Sequence, residues 1–202
     1  GVENLYEAWK YYIELFNMDI RILEDNKVAE LMLPYTGGKP QRRHAAIAVN
    51  MQGGGGFEVW QYAERKPKPL GFELSMGDLG VVVCKIKSRD VEAAFKQFSK
   101  NPKANIVGGL NENIDGHKTF YLKDPYGNLY QVVHDEYIFK DEGRLTAGVA
   151  GATIGVTDIE RSMTVYRDIL GYDTILSDET GVFPDFEGLP SGKGRFRRRL
   201  LT

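Results

Sequence analysis

The chain has few of the features that would commit it to a specialised environment. It contains one cysteine, Cys84, among 202 residues, so an internal disulfide is excluded. Its net charge of -2 gives no electrostatic reason to expect nucleic acid or an anionic membrane as a partner. It has no apolar run long enough to span a bilayer and no signal-like start. These absences favour an ordinary globular protein in a reducing, cytoplasmic setting.

Strand-like and helix-like segments recur along the chain in the same order. Residues 3–16 carry apolar side chains at helical spacing. Three strand-like stretches follow, at 27–33, 43–51 and 57–63. The order of one strand, one helix and three strands appears in full over residues 79–134, and a further copy begins at Val149. We therefore predict an α+β fold of tandem βαβββ modules.

The first and third copies align with each other. Residues 1–20 match residues 155–174 in their Gly-Val start and in the phase of the helix. The first copy therefore lacks an opening strand, and the third copy stops early. The predicted organisation is a two-module domain over 1–136, a linker over 137–148 and an incomplete module over 149–202, with the expectation of a longer protein of four modules.

Two compositional runs have competing interpretations. The run "GGGG" at Gly53–Gly56 enters a strand and not a helix, which favours a mobile hairpin loop, acting as a lid, over a phosphate-binding loop. The run "RFRRR" at 195–199 is typical of a solvated strand end. A nucleic-acid patch is the alternative, which the balanced net charge of the chain disfavours.

Cys84 alternates with Val82 and Ile86, which predicts a buried thiol.

The tandem repeat contains two phrases that carry a resemblance. These are the helix phrase "VTDIERSMTVYRDILGYD" at 156–173 and the hairpin "DPYGNLYQ" at 124–131. Together they resemble the vicinal oxygen chelate superfamily, which includes glyoxalase I, bleomycin resistance proteins and extradiol dioxygenases. The resemblance implies curved mixed sheets that enclose a cavity. It also implies a divalent metal held by a histidine on each module's first strand and a Glu or Gln on each last strand.

Only part of that ligand set is visible in this sequence. Glu58 and Gln131 occupy the last-strand positions, and Glu58 would also be the catalytic base. The first-strand positions fall on Val81 or Val83 and on Gly151, which carry no donor. The resemblance thus implies half of a site for Zn, Ni, Mn or Fe.

Strand alternation predicts further residues that line the cavity. These are His44, Trp60, Tyr62, Lys85 and Tyr121. Trp60 and Tyr62 share a face with Glu58, where they would stack on a planar or cationic ligand or simply pack in the sheet. His44 is either a general base in the cavity or a solvent-exposed strand end. His117 and His134 are predicted to lie away from the cavity.

Two functions remain open at the sequence level. The first is a protein of the bleomycin-resistance kind that binds a small molecule between paired modules without a complete metal site. The second is a metal-dependent lyase, isomerase or dioxygenase that acts through a metal-stabilised enolate or oxyanion. A pure scaffold would bind no small molecule. If the modules pair between two chains and not within one, the protein is a homodimer.

Overall fold

The structure, a computed structural model, describes residues 1–202 and consists of ten strands and three α-helices. The helices are α1 Leu5–Phe16, α2 Val91–Phe98 and α3 Ile159–Asp168. The strands are β1 Ile20–Val28, β2 Arg42–Asn50, β3 Gly55–Tyr62, β4 Gly80–Ser88, β5 Asn105–Glu112, β6 Lys118–Lys123, β7 Leu129–His134, β8 Val149–Gly155, β9 Ile175–Gly181 and β10 Phe196–Leu201. None of the helices has the length and apolar character needed to cross a membrane.

The chain divides into two compact units. The first unit comprises residues 1–71 and 137–149, and the second comprises 72–136 and 150–202. This division differs from the predicted boundaries, because the second and third modules share one unit and the predicted linker belongs to the first. The physical reason is strand pairing: β4, which opens the second module, lies beside β8, which opens the third.

In the first unit, helix α1 covers a three-stranded antiparallel sheet of order β1-β2-β3. Asn4 caps the helix, since its side chain accepts hydrogen bonds from the backbone N–H groups of Tyr6 and Glu7. The apolar stripe then faces the sheet, where the rings of Tyr12 and Phe57 lie 5.0 Å apart. Helical periodicity therefore predicted this element and its buried face correctly.

The first strand of this sheet was predicted in the wrong place. Residues Glu30–Tyr35, which overlap the stretch predicted as a strand, form a 3-10 helix, and β1 begins earlier in the chain. Strand β1 is mostly exposed and is held by backbone pairing with β2. Because side-chain burial does not impose alternation on such an edge strand, its sequence gave no two-residue period.

The glycine run is a packed turn in place of the predicted lid. It connects β2 to β3, as expected for a hairpin. A Cβ atom on Gly53 would lie 0.9 Å from the carbonyl oxygen of Ala147, so only glycine fits there. Beside it, the buried Gln52 side chain accepts hydrogen bonds from the backbone N–H groups of Glu142 and Arg144. These contacts hold the turn against the segment that follows residue 136.

The second unit contains a five-stranded mixed sheet of order β5-β6-β7-β4-β8. Strands β4 and β7 are parallel, and β5, β6 and β7 pair antiparallel in sequence order. Helix α2 begins after Asp90, whose side chain accepts from the N–H of Ala93. The elements of the second module therefore follow one another in the order β4, α2, β5, β6 and β7, which is a βαβββ arrangement.

The β6–β7 turn is stabilised by a buried aspartate. The Asp124 side chain accepts from the backbone N–H groups of Tyr126 and Asn128 at 2.9 Å each. It also accepts from the Tyr130 hydroxyl at 3.3 Å. This local hydrogen bonding is what the Asp-Pro-Tyr-Gly-Asn sequence favours, and it sets the β7 register that orients Gln131.

Part of the third module covers one face of this sheet. We call residues 183–195, which connect β9 to β10, the covering segment. Its Phe183, Phe186 and Leu189 form one buried cluster with Val83 and other apolar side chains of the second unit: Met76, Val82, Tyr121 and Leu129. We call the sheet face that carries Val83, Lys85, Tyr121, Leu129 and Gln131 the inner face. Apolar burial therefore holds the covering segment on the inner face.

Candidate functional site

Strand register puts three predicted residues in one row on the inner face. Lys85 on β4 pairs with Gln131 on β7, and Gln131 pairs with Tyr121 on β6. Adjacent strands lie about 4.8 Å apart, so the three side chains leave the sheet as direct neighbours. The alternation that predicted Lys85 and Tyr121 beside Gln131 is consistent with this row.

Gln131 is fully buried and has no hydrogen-bond partner. Its exposure is 0%, and neither its amide oxygen nor its amide nitrogen has a partner. An unsatisfied buried polar group costs about 1–3 kcal/mol, and native proteins contain few of them. A side chain in this state is a candidate for contact with a bound molecule.

Next to this row lies a polar network that sequence reasoning missed. The Tyr121 hydroxyl donates to Asp185 Oδ2 at 3.1 Å, and Arg198 Nη1 donates to Asp185 Oδ1 at 2.7 Å. Arg198 also donates to Asn113 Oδ1 at 3.1 Å. Burial, followed by the charge of Asp185, raises the pKa of Tyr121 well above its usual value. Tyr121 therefore stays protonated and acts as a donor.

The missed residues had no local signal. Asp185 and Tyr121 are 64 positions apart in the chain, and Arg198 and Asn113 are 85 apart. Arg198 belongs to the arginine-rich run. Its guanidinium carbon lies 4.6 Å from the ring centre of Phe183 and 4.2 Å from the ring centre of Phe186. Only the fold of the covering segment brings these groups to the inner face.

Lys85 adds a second cation to the same region. Its side chain is half-buried, and this burial lowers its pKa. The positive charge of Arg198 lowers the pKa further, whereas the negative charges of Asp115 and Asp185 raise it. Asp185 already pairs with Arg198 at short range. Lys85, Arg198, Asp115 and Asp185 therefore carry no net charge when all four are ionised, and burial is the largest influence on Lys85.

A cavity of about 550 Å³ opens at the end of the same sheet strands. Its walls comprise Val107, Lys123 and Leu129 from the sheet, together with Glu73 and residues 188–193 of the covering segment. Lys123 pairs with Glu73 at 2.8 Å. Leu129 and Lys123 lie two positions from Gln131 and Tyr121 on the same strands, which is about 7 Å along the sheet. The volume is in the range typical of small-molecule sites.

The remaining predicted residues lie in the first unit. On β3, Glu58 is exposed and lies 3.9 Å from Arg43. The Trp60 and Tyr62 rings meet edge to face at 4.8 Å, and the Arg65 guanidinium lies 4.2 Å from the Tyr62 ring centre. The two half-buried rings therefore contact each other, and the Tyr62 ring also contacts the Arg65 guanidinium. Glu58 and Gln131, predicted as one metal site, belong to different units.

His44 does not share a face with Glu58. It pairs with Gln61 across the β2–β3 ladder, whereas Glu58 pairs with Ile47, and residues one apart on a strand point to opposite faces. The His44 face also carries Ala46 and Ala48, both 1% exposed. His44 Nε2 lies 2.7 Å from Glu24 Oε1. The expected cavity face is therefore a packed face, and the histidine has a carboxylate partner.

The other histidines stack on each other in the second unit. The His117 and His134 ring centres are 4.4 Å apart, and His134 lies 3.1 Å from Glu136. His134 is on the face opposite Gln131 by strand alternation, as predicted.

Ion pairs engage two more side chains of the arginine-rich run. Arg197 and Arg199 both contact Asp178 and Glu160, with Arg197 at 2.7 and 2.8 Å respectively. The guanidiniums that a nucleic-acid patch would need are therefore neutralised within the third module.

The residues present do not fit a divalent metal. The structure contains no group of three or more His, Cys, Asp or Glu side chains arranged to hold a metal ion. On the inner face, Gln131 is flanked by the ammonium of Lys85, which repels a cation, and neither Val81 nor Val83, the two candidates for the histidine position, carries a donor. Structural metal sites need three or four donors.

No protein-family model matches the chain. A curated relative, an adenylosuccinate synthetase of Acidothermus cellulolyticus, is 35% identical over 99 residues, which cover 48% of this chain and 22% of that protein. The match therefore spans about a fifth of the relative's length and is local.

Solved structures give a broader likeness. A glyoxalase family protein from Bacillus cereus is 18% identical, with 66% of this chain and 87% of that chain covered and a TM-score of 0.51. Glyoxalase I from Zea mays is 17% identical, with 100% of this chain and 64% of that chain covered and a TM-score of 0.53. The chain thus spans just under two thirds of the maize enzyme. At these identities the likeness concerns the fold. Together with the βαβββ module, it shows that the chain has a glyoxalase-like fold.

Proposed function

We propose that this chain is a small-molecule-binding protein whose second unit binds a small organic anion at the inner face without a divalent metal. The observation that carries the proposal is Gln131, a fully buried amide with no partner. A bound molecule would supply the hydrogen bonds that the protein lacks.

The charge and shape of the region support an anion. Arg198 is paired with Asp185 at short range, whereas Lys85, the strand neighbour of Gln131, is available to a negatively charged group of the ligand. The neighbouring cavity combines the apolar side chains of Val107 and Leu129 with the Lys123–Glu73 ion pair and with Lys193. An apolar body with one anionic group matches such a lining.

The alternative is the metal-dependent enzyme. Gln131 at the last-strand ligand position favours it, and so does the likeness to glyoxalase I of maize. The donor set opposes it, since the neighbours of Gln131 on the adjoining strands are Lys85 and Tyr121.

Isothermal titration of EDTA-treated protein with acetate, benzoate and inorganic phosphate tests the proposal. We expect benzoate or acetate to bind, and Lys85→Met and Gln131→Leu to weaken binding about ten- to a hundred-fold, since a hydrogen bond to a charged group contributes about 1.5–3 kcal/mol. Lys96→Met, at an exposed position on α2, is the matched control and should bind as wild type.

Metal analysis of protein purified without chelator separates the two functions. The metal-free proposal is wrong if none of the three probes binds and the protein contains about one divalent ion per chain that is lost in Gln131→Leu. That result would favour the metal-dependent enzyme. Glu58→Ala in the same assay tests the predicted catalytic residue of the first unit.

A further inference from the structure

The carboxylate of Asp185 is held as a bound ligand would be held. It is 1% exposed, and its two oxygens accept from different donors, Tyr121 and Arg198. It does not come from the sheet that supplies Tyr121. Asp185 lies in the three-residue 3-10 helix Pro184–Phe186. This short helix belongs to the covering segment, which connects two strands.

The carboxylate of Asp185 does not engage all of the polar side chains on the inner face. An ionised carboxylate has about four lone-pair positions, and two hydrogen bonds to Asp185 are present. Gln131 has unused donors and an unused acceptor in the same row as Tyr121. Lys85 is the third member of that row. The inner face therefore has donors, at Gln131 and Lys85, that Asp185 does not engage.

The covering segment is held by apolar contacts that a ligand must overcome. Phe183 and Phe186 are 7% and 2% exposed, and full burial of such a side chain contributes about 1.5–3 kcal/mol. A backbone hydrogen bond from Met76 N–H to the Pro190 carbonyl, at 2.9 Å, adds a further attachment. Without ligand the closed arrangement is therefore favoured, and the cost of displacing it subtracts from the affinity for ligand.

We propose that Asp185 is an internal substitute for the carboxylate of the ligand. This inference rests on the proposed function and names its ligand class: a small organic carboxylate that competes with Asp185 for the Tyr121 hydroxyl and the Arg198 guanidinium. In the bound state the covering segment withdraws Asp185, and the ligand carboxylate takes its place beside Gln131 and Lys85. The segment is thus an autoinhibitory lid that only carboxylates displace efficiently.

Two variants of Asp185 test this. Asp185→Ala removes the carboxylate and leaves a space of its size next to Arg198, so acetate should raise the thermal unfolding midpoint of this variant more than it raises that of wild type, with chloride at equal ionic strength as the blank. Asp185→Asn keeps the shape but loses the charge, so it should still fold, with lower stability because Arg198 loses its ion pair, and it should bind benzoate at least ten-fold more tightly.

Asp178→Ala is the matched control. Asp178 also pairs with two arginines, but its side chain is partly open to solvent. Water can replace its carboxylate, so acetate should produce no specific rescue.

The outcomes distinguish this inference from the proposed function. Acetate rescue of Asp185→Ala together with tighter benzoate binding by Asp185→Asn supports it. If wild type binds benzoate but Asp185→Asn binds it no more tightly, Asp185 does not compete with the ligand, and the inference is wrong while the proposed function stands. If neither wild type nor the two variants bind any probe, both are wrong. Should Asp185→Ala fail to fold, the Asp185→Asn comparison alone decides.

Discussion

Replacing the buried Gln131 with methionine should stabilise the protein. Methionine has a similar length and volume, so the packing change should cost less than about 1.5 kcal/mol. The substitution removes an amide that is 0% exposed and without partners, which relieves a penalty of about 1–3 kcal/mol. We therefore expect a net gain of about 1 kcal/mol in the free energy of unfolding, or about 2–4 °C in the melting temperature.

A second buried glutamine provides the control. Gln52 is 1% exposed but accepts from the N–H groups of Glu142 and Arg144 and donates to the Arg144 carbonyl. Gln52→Met leaves these groups unsatisfied and should destabilise by about 1–3 kcal/mol. Urea unfolding of both variants, followed by circular dichroism, measures the two changes under the same conditions.

The two substitutions should change the free energy of unfolding in opposite directions. If Gln131→Met destabilises the protein as much as Gln52→Met does, the Gln131 amide has partners in solution, and the reason for placing a ligand beside it is lost. A stabilised variant that no longer binds benzoate would mean that the protein tolerates an unfavourable side chain for the sake of binding.

Three further predictions concern other parts of the chain. Hydrogen bonds from Tyr6, then His44, and a smaller effect of Arg21 lower the pKa of Glu24 from 4.5 to about 2. The stability that the ionised Glu24 provides should be complete above pH 4.5 and should fall as the pH drops toward 2. A Glu24→Gln variant should therefore show a flatter acid-unfolding profile. Burial raises the pKa of the Cys84 thiol to about 11, so it should react with a disulfide reagent at about pH 8 much more slowly in the native than in the unfolded protein. Gly53→Ala, whose Cβ would overlap the Ala147 carbonyl oxygen, should destabilise by more than about 3 kcal/mol in thermal unfolding.

Local patterns of the sequence determined the modules of this protein. Helical periodicity and the Asn4 cap predicted α1, and the Asp124 turn with its flanking alternation predicted the hairpin that orients Gln131. Alternation also put Lys85 on the same face as Val83. These features depend on contacts between residues close in sequence, where backbone geometry imposes a fixed period.

Tertiary structure decided which modules share a unit and what covers the inner face. Strand β4 lies next to β8 in the second unit, and Glu58 belongs to the first. Nothing in the sequence specifies this choice, because modules with similar strands have similar pairing edges. Asp185 reaches Tyr121 across 64 positions, since the burial of Phe186 fixes the covering segment there. Long-range apolar packing, which has no sequence period, therefore created the candidate site from residues that local patterns left unconnected.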